Sequence, residues 1–142
     1  HFTNHEGVTG TMADALTEAD VFIGVSQAGL LTPDMIRTMA KDPIIFALAN
    51  PVPEIMPNEA RSAGAAVVAT GRSDFPNQVN NAVAFPGIFR GALDNSVSTI
   101  TDVHKIAAAE TIASLVKNPS PEEVIPSVFN PELVSKIAEV IR

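Results

Sequence analysis

The chain has 142 residues, of which 46% are hydrophobic and 18% are charged, and this composition predicts a globular domain rather than a disordered segment. Its formal net charge is -7 and its nine Lys and Arg residues are scattered, so the basic surface that binds nucleic acid is excluded. Charged residues and prolines interrupt every apolar run before the roughly 18 residues of a membrane span, and we expect a soluble protein with no membrane partner.

Two short helices are predicted near the start of the chain from their capping residues. In "TGTMADALTEA", Thr11 is followed three residues later by Asp14, a spacing at which short oxygen side chains bond the free N–H groups of a first helical turn. In "LTPDMIRTMAKD", Thr32 is the expected N-cap and Pro33 takes the first helical position, where a missing N–H costs nothing. A third short helix is predicted in "PNEARSAG".

Three continuous apolar runs alternate with these helices and predict strands: "DVFIGVS", "PIIFALANP" and "AAVVATG". A run that is apolar at every position is expected in a strand that is buried on both faces. Because strands and helices alternate with short connections, this part of the chain predicts right-handed βαβ units in a parallel sheet with both faces covered. The predicted fold class is therefore α/β.

The pattern becomes helical after residue 95. "TITDVHKIAAAETIASLVK" predicts a long helix that Asn118 and Pro119 close, and "NPELVSKIAEVIR" predicts a terminal helix that Asn130 and Pro131 open. We therefore expect a sheet portion over about 1–95 and C-terminal helices over 96–142. The first residue is His1 and not Met, from which we expect a piece of a longer protein, and the absence of cysteine fits a cytoplasmic enzyme.

The candidate site lies where the predicted strands give way to loops, because open parallel sheets bind ligands beyond the carboxyl ends of their strands. These places are Val25–Gly29, Ala49–Val52 and Thr70–Asn81. Four side-chain amides fall at two of them: Asn50, Asn77, Asn80 and Asn81. An amide offers two donors and an acceptor without charge, which suits a carboxamide or carboxylate ligand. Asparagine is also a common turn former, and spacing alone leaves that structural role open.

Three motifs carry a resemblance to a known family. The stretches "GVSQAGLLTPDMI", "IFALANPVPEI" and "TGRSDFPNQVNNAVAFPGIFRGALD", in this order and at these separations, resemble the nicotinamide-binding domain of bacterial malic enzymes. The resemblance runs over essentially the whole chain. It implies the second half of a Rossmann-like dinucleotide-binding domain, without the first βαβ unit. It also implies an enzyme that oxidatively decarboxylates malate to pyruvate and CO2 with reduction of NAD or NADP, helped by a divalent Mg or Mn ion.

The resemblance assigns roles to a few residues. Asn50 and Asn81 match the paired asparagines of the family, whose amides bind malate and the nicotinamide end of the cofactor. Val25 and Ser26 match the strand end beside the ribose and nicotinamide, and Asn80 is included with the cofactor-binding residues. No catalytic residue and no metal ligand is expected in this chain, because the family's proton-shuttling Lys and Tyr and its three metal-binding carboxylates come from upstream sequence.

Other conspicuous residues are expected to have structural roles. "GVSQAG" has the glycine spacing of a phosphate loop, but Leu30 and Leu31 stand where Lys and Ser or Thr would be needed, so that function is rejected. His104 is predicted to be a packing or surface histidine, and Asp74 to form a local ion pair or turn cap near Arg72. Arg90 could hold a loop or a neighbouring subunit.

Several alternatives stay open from the sequence. The enzyme could decarboxylate malate or oxaloacetate without net cofactor reduction, it could be half of a fusion enzyme, or the chain could be a non-catalytic dinucleotide-binding module. We expect a homodimer or a larger homo-oligomer. We also expect Asn81→Ala to damage catalysis far more than Asn77→Ala, because Asn77 follows Pro76 and resembles a solvent-exposed turn residue.

Overall fold

The computed structural model describes residues 3–5 and 7–142, which form two compact units. The first unit ends at Gly71 and the second is Arg72–Arg142. The expected division near residue 95, between a sheet portion and C-terminal helices, stays a prediction. In the part of the chain that the structure describes, no helix is long and apolar enough to cross a membrane.

The first unit is built on a parallel three-stranded sheet. Its strands are β1 (Val21–Gly24), β2 (Ile44–Ala47) and β3 (Val67–Thr70), in the spatial order β1-β2-β3. Helices α1 (Met12–Leu16), α2 (Pro33–Thr38) and α3 (Pro57–Ser62) precede the three strands in turn. In the register of the sheet, Ile44 lies opposite Val21 on one side and opposite Val67 on the other. The predicted α/β fold with a parallel sheet is confirmed.

The capping residues begin the helices as the sequence predicts. The backbone N–H of Asp14 donates to the Thr11 hydroxyl at 3.3 Å, and the Asp14 carboxylate accepts from the Thr11 N–H at 2.7 Å. The Thr32 hydroxyl accepts from the N–H of Met35 at 3.3 Å at the start of α2. Helix α3 starts after Met56, which has no capping side chain. Side-chain caps therefore begin α1 and α2, and α3 begins without one.

The core of the first unit lies against one face of β1 and covers β2 and β3 more fully. Phe22, Ile36, Ile45 and Val68 are buried in this core. The exposed fractions of Val21 and Ile23 are 45% and 65%, so the prediction that this strand is buried on both faces is wrong for β1. The reason is that the core packs on the face that carries Phe22 and leaves the opposite face of this edge strand open.

The second unit is helical. It contains a 3-10 helix at Asn81–Val83, followed by α4 (Phe85–Asp94), α5 (Asp102–Ser114) and α6 (Leu133–Val140). No sequence pattern predicted α4, and the predicted end of α5 and the predicted start of α6 are wrong. Helix α5 ends at Ser114, with Leu115 as its C-cap, and so stops before the predicted end at Asn118 and Pro119. Helix α6 starts after Asn130, whose side-chain oxygen accepts from the Glu132 N–H at 2.9 Å and forms a turn instead.

His104 has a structural role at the start of α5. Its Nδ1 accepts from the backbone N–H of Thr101 at 3.1 Å, and the hydroxyl of Thr101 in turn accepts from the N–H of His104. With Nδ1 as the acceptor, Nε2 carries the proton and donates to the carbonyl of Arg142 at 2.7 Å. The histidine therefore caps α5 and ties it to the end of the chain.

Two glycines let α4 and α6 pack at close range. A Cβ atom on Gly87 would lie 2.5 Å from the Cβ of Ile137, and one on Gly91 would lie 2.6 Å from the carbonyl oxygen of Ala138. Both distances are shorter than van der Waals contact, so no side chain fits at either position unless a helix moves. Ile137 and Ile141 are fully buried in the core of the second unit.

We predict that Gly91→Ala destabilises the chain by about 1–3 kcal/mol, because overpacking against the α6 backbone outweighs the gain of roughly 1 kcal/mol in helix propensity. Urea unfolding followed by circular dichroism measures the change. The control is Leu93→Ala on the exposed side of the same helix, which should change the free energy of unfolding by less than about 0.5 kcal/mol. An unchanged or higher stability of Gly91→Ala would contradict the packing described here.

Candidate functional site

A buried carboxylate joins the ends of β1 and β2. The side chain of Glu54 is fully buried. Its Oε1 accepts from the backbone N–H of Ser26 at 2.8 Å and from the Ser26 hydroxyl at 3.2 Å, while its Oε2 accepts from the backbone N–H of Ala49 at 3.0 Å. Ser26 directly follows Val25, and Ala49 directly precedes Asn50. One side chain therefore fixes both strand-end turns.

The backbone around Glu54 strengthens this connection. The N–H of Leu31 donates to the Glu54 carbonyl at 3.1 Å, and the N–H of Gly29 approaches the Pro53 carbonyl at 3.4 Å. Gly24 makes room for the carboxylate, because a Cβ atom at this position would lie 2.5 Å from Oε1 of Glu54. The whole turn from β1 into α2 is thus held against the segment that follows β2.

Hydrogen bonds keep the Glu54 carboxylate ionised. Burial by itself raises the pKa of this carboxyl group. The N–H groups of Ser26, Ala49 and Glu54 itself and the Ser26 hydroxyl together outweigh burial, so that the pKa of Glu54 is lowered from its ordinary value. A buried carboxylate with such partners is a stable acceptor for backbone donors.

Three of the predicted site residues lie on these two turns with their side chains exposed. Val25 is 80% exposed, and Ser26 and Asn50 are exposed as well. The amide of Asn50 forms no hydrogen bond to any residue that the structure describes. Through Glu54, the turn that carries Val25 and Ser26 is joined to the turn that carries Asn50.

The other two predicted site residues lie in the second unit. The side-chain oxygen of Asn80 accepts from the N–H of Ala82 at 3.0 Å, so Asn80 caps the 3-10 helix that Asn81 begins. Asn81 is exposed, and its amide has no hydrogen-bond partner among the described residues. A cavity of about 290 Å³ adjoins Asn80 and is otherwise lined by apolar side chains. The assembly of Asn80 and Asn81 with Asn50 into one site stays a prediction.

Asn77 is not the solvent-exposed turn residue that the sequence suggests. Its exposed fraction is 5%. Its amide nitrogen donates to the carbonyl of Pro121 at 2.8 Å, and its side-chain oxygen accepts from the N–H of Val124 at 2.8 Å. Its backbone has a positive φ of 56°, as in a turn. The side chain nevertheless points inward, because it forms hydrogen bonds with backbone groups of the distant 121–124 segment. Asn77 therefore has a structural role inside the second unit.

Asp74 forms a local ion pair, as the sequence predicts. Arg72 donates to its two carboxylate oxygens at 2.8 and 2.7 Å, and the hydrogen bond from Arg72 is the main reason that the pKa of Asp74 lies below its ordinary value. Arg90 pairs with Asp94 one turn further along α4. Within residues 3–5 and 7–142, no group of three or more His, Cys, Asp or Glu side chains could hold a metal ion.

Sequence reasoning missed Glu54. An acidic residue in "ANPVPEIMP" is the single charge of a proline-rich loop, which usually indicates an exposed turn. Its burial follows from two backbone donors on separate strand ends, one of them in the turn after β1, and nothing in the local pattern reveals them. The glycine at position 24, inside an apolar run, was the one available signal of a close approach.

The match to a known family covers almost the entire chain. Residues 8–141 match the model of the family described as malic enzyme, NAD binding domain. The chain belongs to the malic enzyme family. It is 58% identical over 142 residues to the bifunctional malic/malolactic enzyme of Bacillus subtilis, and 48% identical over 141 residues to the NAD-dependent malic enzyme of Geobacillus stearothermophilus. These alignments cover 99% and 98% of this chain.

Solved malic enzymes share the fold. The malic enzyme of Pyrococcus horikoshii superposes with a TM-score of 0.92 at 52% identity, over 96% of this chain and 32% of that one. The NAD-dependent malic enzyme of Thermotoga maritima gives 0.93 at 49% identity, over 98% of this chain and 36% of that one. The chain spans 35% of the Bacillus relative and 29% of the Geobacillus relative. These two relatives are thus about three times as long as this chain.

We predict that the Glu54 hydrogen bonds stabilise this malic enzyme domain in a pH-dependent way. A carboxyl group whose pKa is lowered in the folded state contributes its full stabilisation of the fold at pH values above its ordinary pKa of 4.5. This contribution is lost as the pH falls through the pKa of the folded state. Glu54→Gln should therefore lower the melting temperature at pH 7 and equally at pH 6. The difference from wild type should shrink below pH 4.5.

Thermal unfolding by circular dichroism measures this difference across the pH range. The control is Glu59→Gln, which removes the same charge from an exposed position in the first turn of α3. A melting temperature of Glu54→Gln equal to that of wild type at pH 7 would show that the buried carboxylate does not hold the two turns.

Proposed function

We propose that these residues are part of the NAD(P)-binding domain of a longer malic enzyme, which oxidatively decarboxylates malate to pyruvate and CO2 while it reduces NAD or NADP. The observation that supports the proposal is the exposed amide of Asn50, which has no partner among the described residues and directly follows Ala49, the residue that Glu54 links to the turn after β1. Membership of the malic enzyme family supports the same reaction, and relatives with either cofactor in their names match this chain.

In this proposal the chain binds and orients, and it performs no acid or base chemistry. The amides of Asn50 and Asn81 hydrogen-bond the carboxylate of malate and the carboxamide of the cofactor. Val25 and Ser26 lie along the ribose and nicotinamide, with Asn80 as a further cofactor contact. When bound, the nicotinamide accepts a hydride and a divalent Mg or Mn ion polarises the substrate. A displacement of about 1 Å in such contacts can cost roughly a hundredfold in rate.

The lysine and tyrosine that move protons, and the metal-binding carboxylates, belong in this proposal to the part of the enzyme that precedes these residues. A homodimer or larger homo-oligomer is proposed from the family resemblance. A cytoplasmic location is proposed as well, because a chain with no cysteine suits a compartment in which disulfides do not form.

A second reaction has specific support. The Bacillus subtilis relative is named a bifunctional malic/malolactic enzyme and is 58% identical to this chain. Loss of CO2 from malate without net oxidation leaves lactate, since the hydrogen atoms of malate then remain on the product. Product analysis separates the two reactions: pyruvate with one reduced cofactor per malate supports the oxidative reaction, and lactate with no net cofactor change supports the second.

The first test compares the longer enzyme with the 142-residue chain. We expect the longer enzyme to reduce NAD or NADP in the presence of malate and a divalent metal, with release of CO2. The chain alone should show no turnover and only weak dinucleotide binding, because no glycine-rich phosphate turn at a helix N-terminus is found in its sequence. Malate-dependent cofactor reduction by the chain alone, or none by the longer enzyme, would refute the proposal.

Two asparagine variants separate ligand binding from stability. In the longer enzyme, Asn81→Ala should lower kcat/KM about ten- to a hundredfold, because a charged ligand group loses a hydrogen bond worth roughly 1.5–3 kcal/mol. The exposed Asn81 side chain has no partner among the described residues, so the melting temperature should not change. Asn77→Ala should instead lower stability by about 1–3 kcal/mol, because it removes buried hydrogen bonds to Pro121 and Val124.

Steady-state kinetics and thermal unfolding are measured on both variants, with malate and cofactor varied separately. The kinetic assays are made well below the lower of the two melting temperatures, so that both enzymes are folded. If Asn77→Ala loses more kcat/KM than Asn81→Ala under these conditions, the assignment of the ligand contact to Asn81 is wrong.

A further inference from the structure

We propose that Glu54 is a positioning residue, which sets where Val25, Ser26 and Asn50 stand relative to the cofactor and the substrate. The inference rests on the proposed function, because that function assigns the two turns to the nicotinamide end of the cofactor and to malate. The inference goes beyond the proposed function because it names the group that aligns the two turns with each other.

The two carboxylate oxygens of Glu54 accept hydrogen bonds from different turns, which supports this role. Oε1 accepts from the backbone N–H and the hydroxyl of Ser26 in the turn after β1, and Oε2 accepts from the N–H of Ala49 in the turn after β2. The two oxygens of a carboxylate are held at a fixed separation by covalent bonds. The distance between the donors, and therefore between the two turns, is thus set by one rigid planar group.

The donors lie next to the proposed ligand contacts in the chain. The N–H of Ser26 belongs to a proposed cofactor contact and adjoins Val25, while Ala49 is bonded directly to Asn50. Glu54 itself is fully buried and offers no atom to a ligand. Its effect on binding is therefore exerted through backbone geometry and not through contact with substrate.

Burial of an ionised carboxylate costs desolvation free energy. A neutral acceptor would cost less if its only role were to join the two turns. A neutral Gln cannot replace it. Its amide has one acceptor oxygen and one NH2 group, so one of the two backbone N–H groups would face a donor instead of an acceptor. A carboxylate is the side chain that presents acceptors to both strand ends at this spacing.

Gly24 offers a second way to disturb the same contact. A Cβ atom at this position would lie 2.5 Å from Oε1 of Glu54 and 2.7 Å from the ring of Phe22. Gly24→Ala therefore pushes the carboxylate away from the end of β1 without changing its charge. If alignment of the turns is what matters, the two substitutions should produce the same kinetic signature.

The test uses the longer malic enzyme with three single substitutions: Glu54→Gln, Gly24→Ala and the control Glu59→Gln. For each enzyme, kcat and the KM values for malate and for the cofactor are measured separately, at a temperature well below its melting temperature. Cofactor binding without malate is measured by calorimetry. A residue that only stabilises the fold would lower the melting temperature and leave the kinetic constants of the folded enzyme unchanged.

We expect Glu54→Gln to lower kcat/KM about ten- to a hundredfold and to raise the KM values for malate and cofactor together, since one carboxylate holds both turns. Gly24→Ala should change the same constants in the same direction. Glu59→Gln, on the exposed surface of α3, should stay within about twofold of wild type.

The possible results separate this inference from the proposed function. An active wild-type enzyme in which Glu54→Gln is folded and within about twofold of wild-type kcat/KM overturns the positioning role alone. If Glu54→Gln does not fold, Gly24→Ala decides by the same criterion. A wild-type enzyme without malate-dependent activity overturns the proposed function, and the role of Glu54 with it.

Discussion

The hydrogen bonds of the Glu54 carboxylate are the interaction on which the proposed ligand-binding face of the first unit depends. Parallel strands bring their carboxyl ends to one edge of a sheet, but the turns that follow them are free to diverge. Here one buried, ionised side chain accepts from the turn after β1 and the turn after β2. The cost of burying its charge is offset because each oxygen has a backbone donor. Gly24 leaves the space that the arrangement needs.

The second unit uses close helix packing and one buried amide for a similar purpose. Glycines on α4 allow α6 to approach its backbone, and Asn77 ties the loop before the 3-10 helix to the 121–124 segment. Asn81 then begins a short helix on a supported loop while its own amide stays exposed. In both units, a buried polar or close-packed contact fixes the backbone next to an exposed amide, which is the group that we propose as a ligand contact.

Features that depend on neighbouring residues were predictable from the sequence, and features that depend on distant ones were not. The parallel α/β fold, the caps at Thr11 and Thr32 and the Arg72–Asp74 pair follow from local patterns, and the motifs were sufficient to recognise the family. The burial of Glu54 and Asn77 depends on donors and acceptors in other segments, so both resembled ordinary loop residues. The open face of β1 was missed because an apolar run predicts a preference for burial, not the presence of a covering element.

The most direct measurement is a crystal structure of the longer malic enzyme with cofactor and malate bound. We expect the amides of Asn50 and Asn81 to lie within about 3.2 Å of the malate carboxylate or the nicotinamide carboxamide, with Glu54 still bonded to Ser26 and Ala49. If both ligands are ordered while both amides point to solvent more than about 4 Å from them, beyond hydrogen-bond range, the assignment of the site to these strand ends is contradicted.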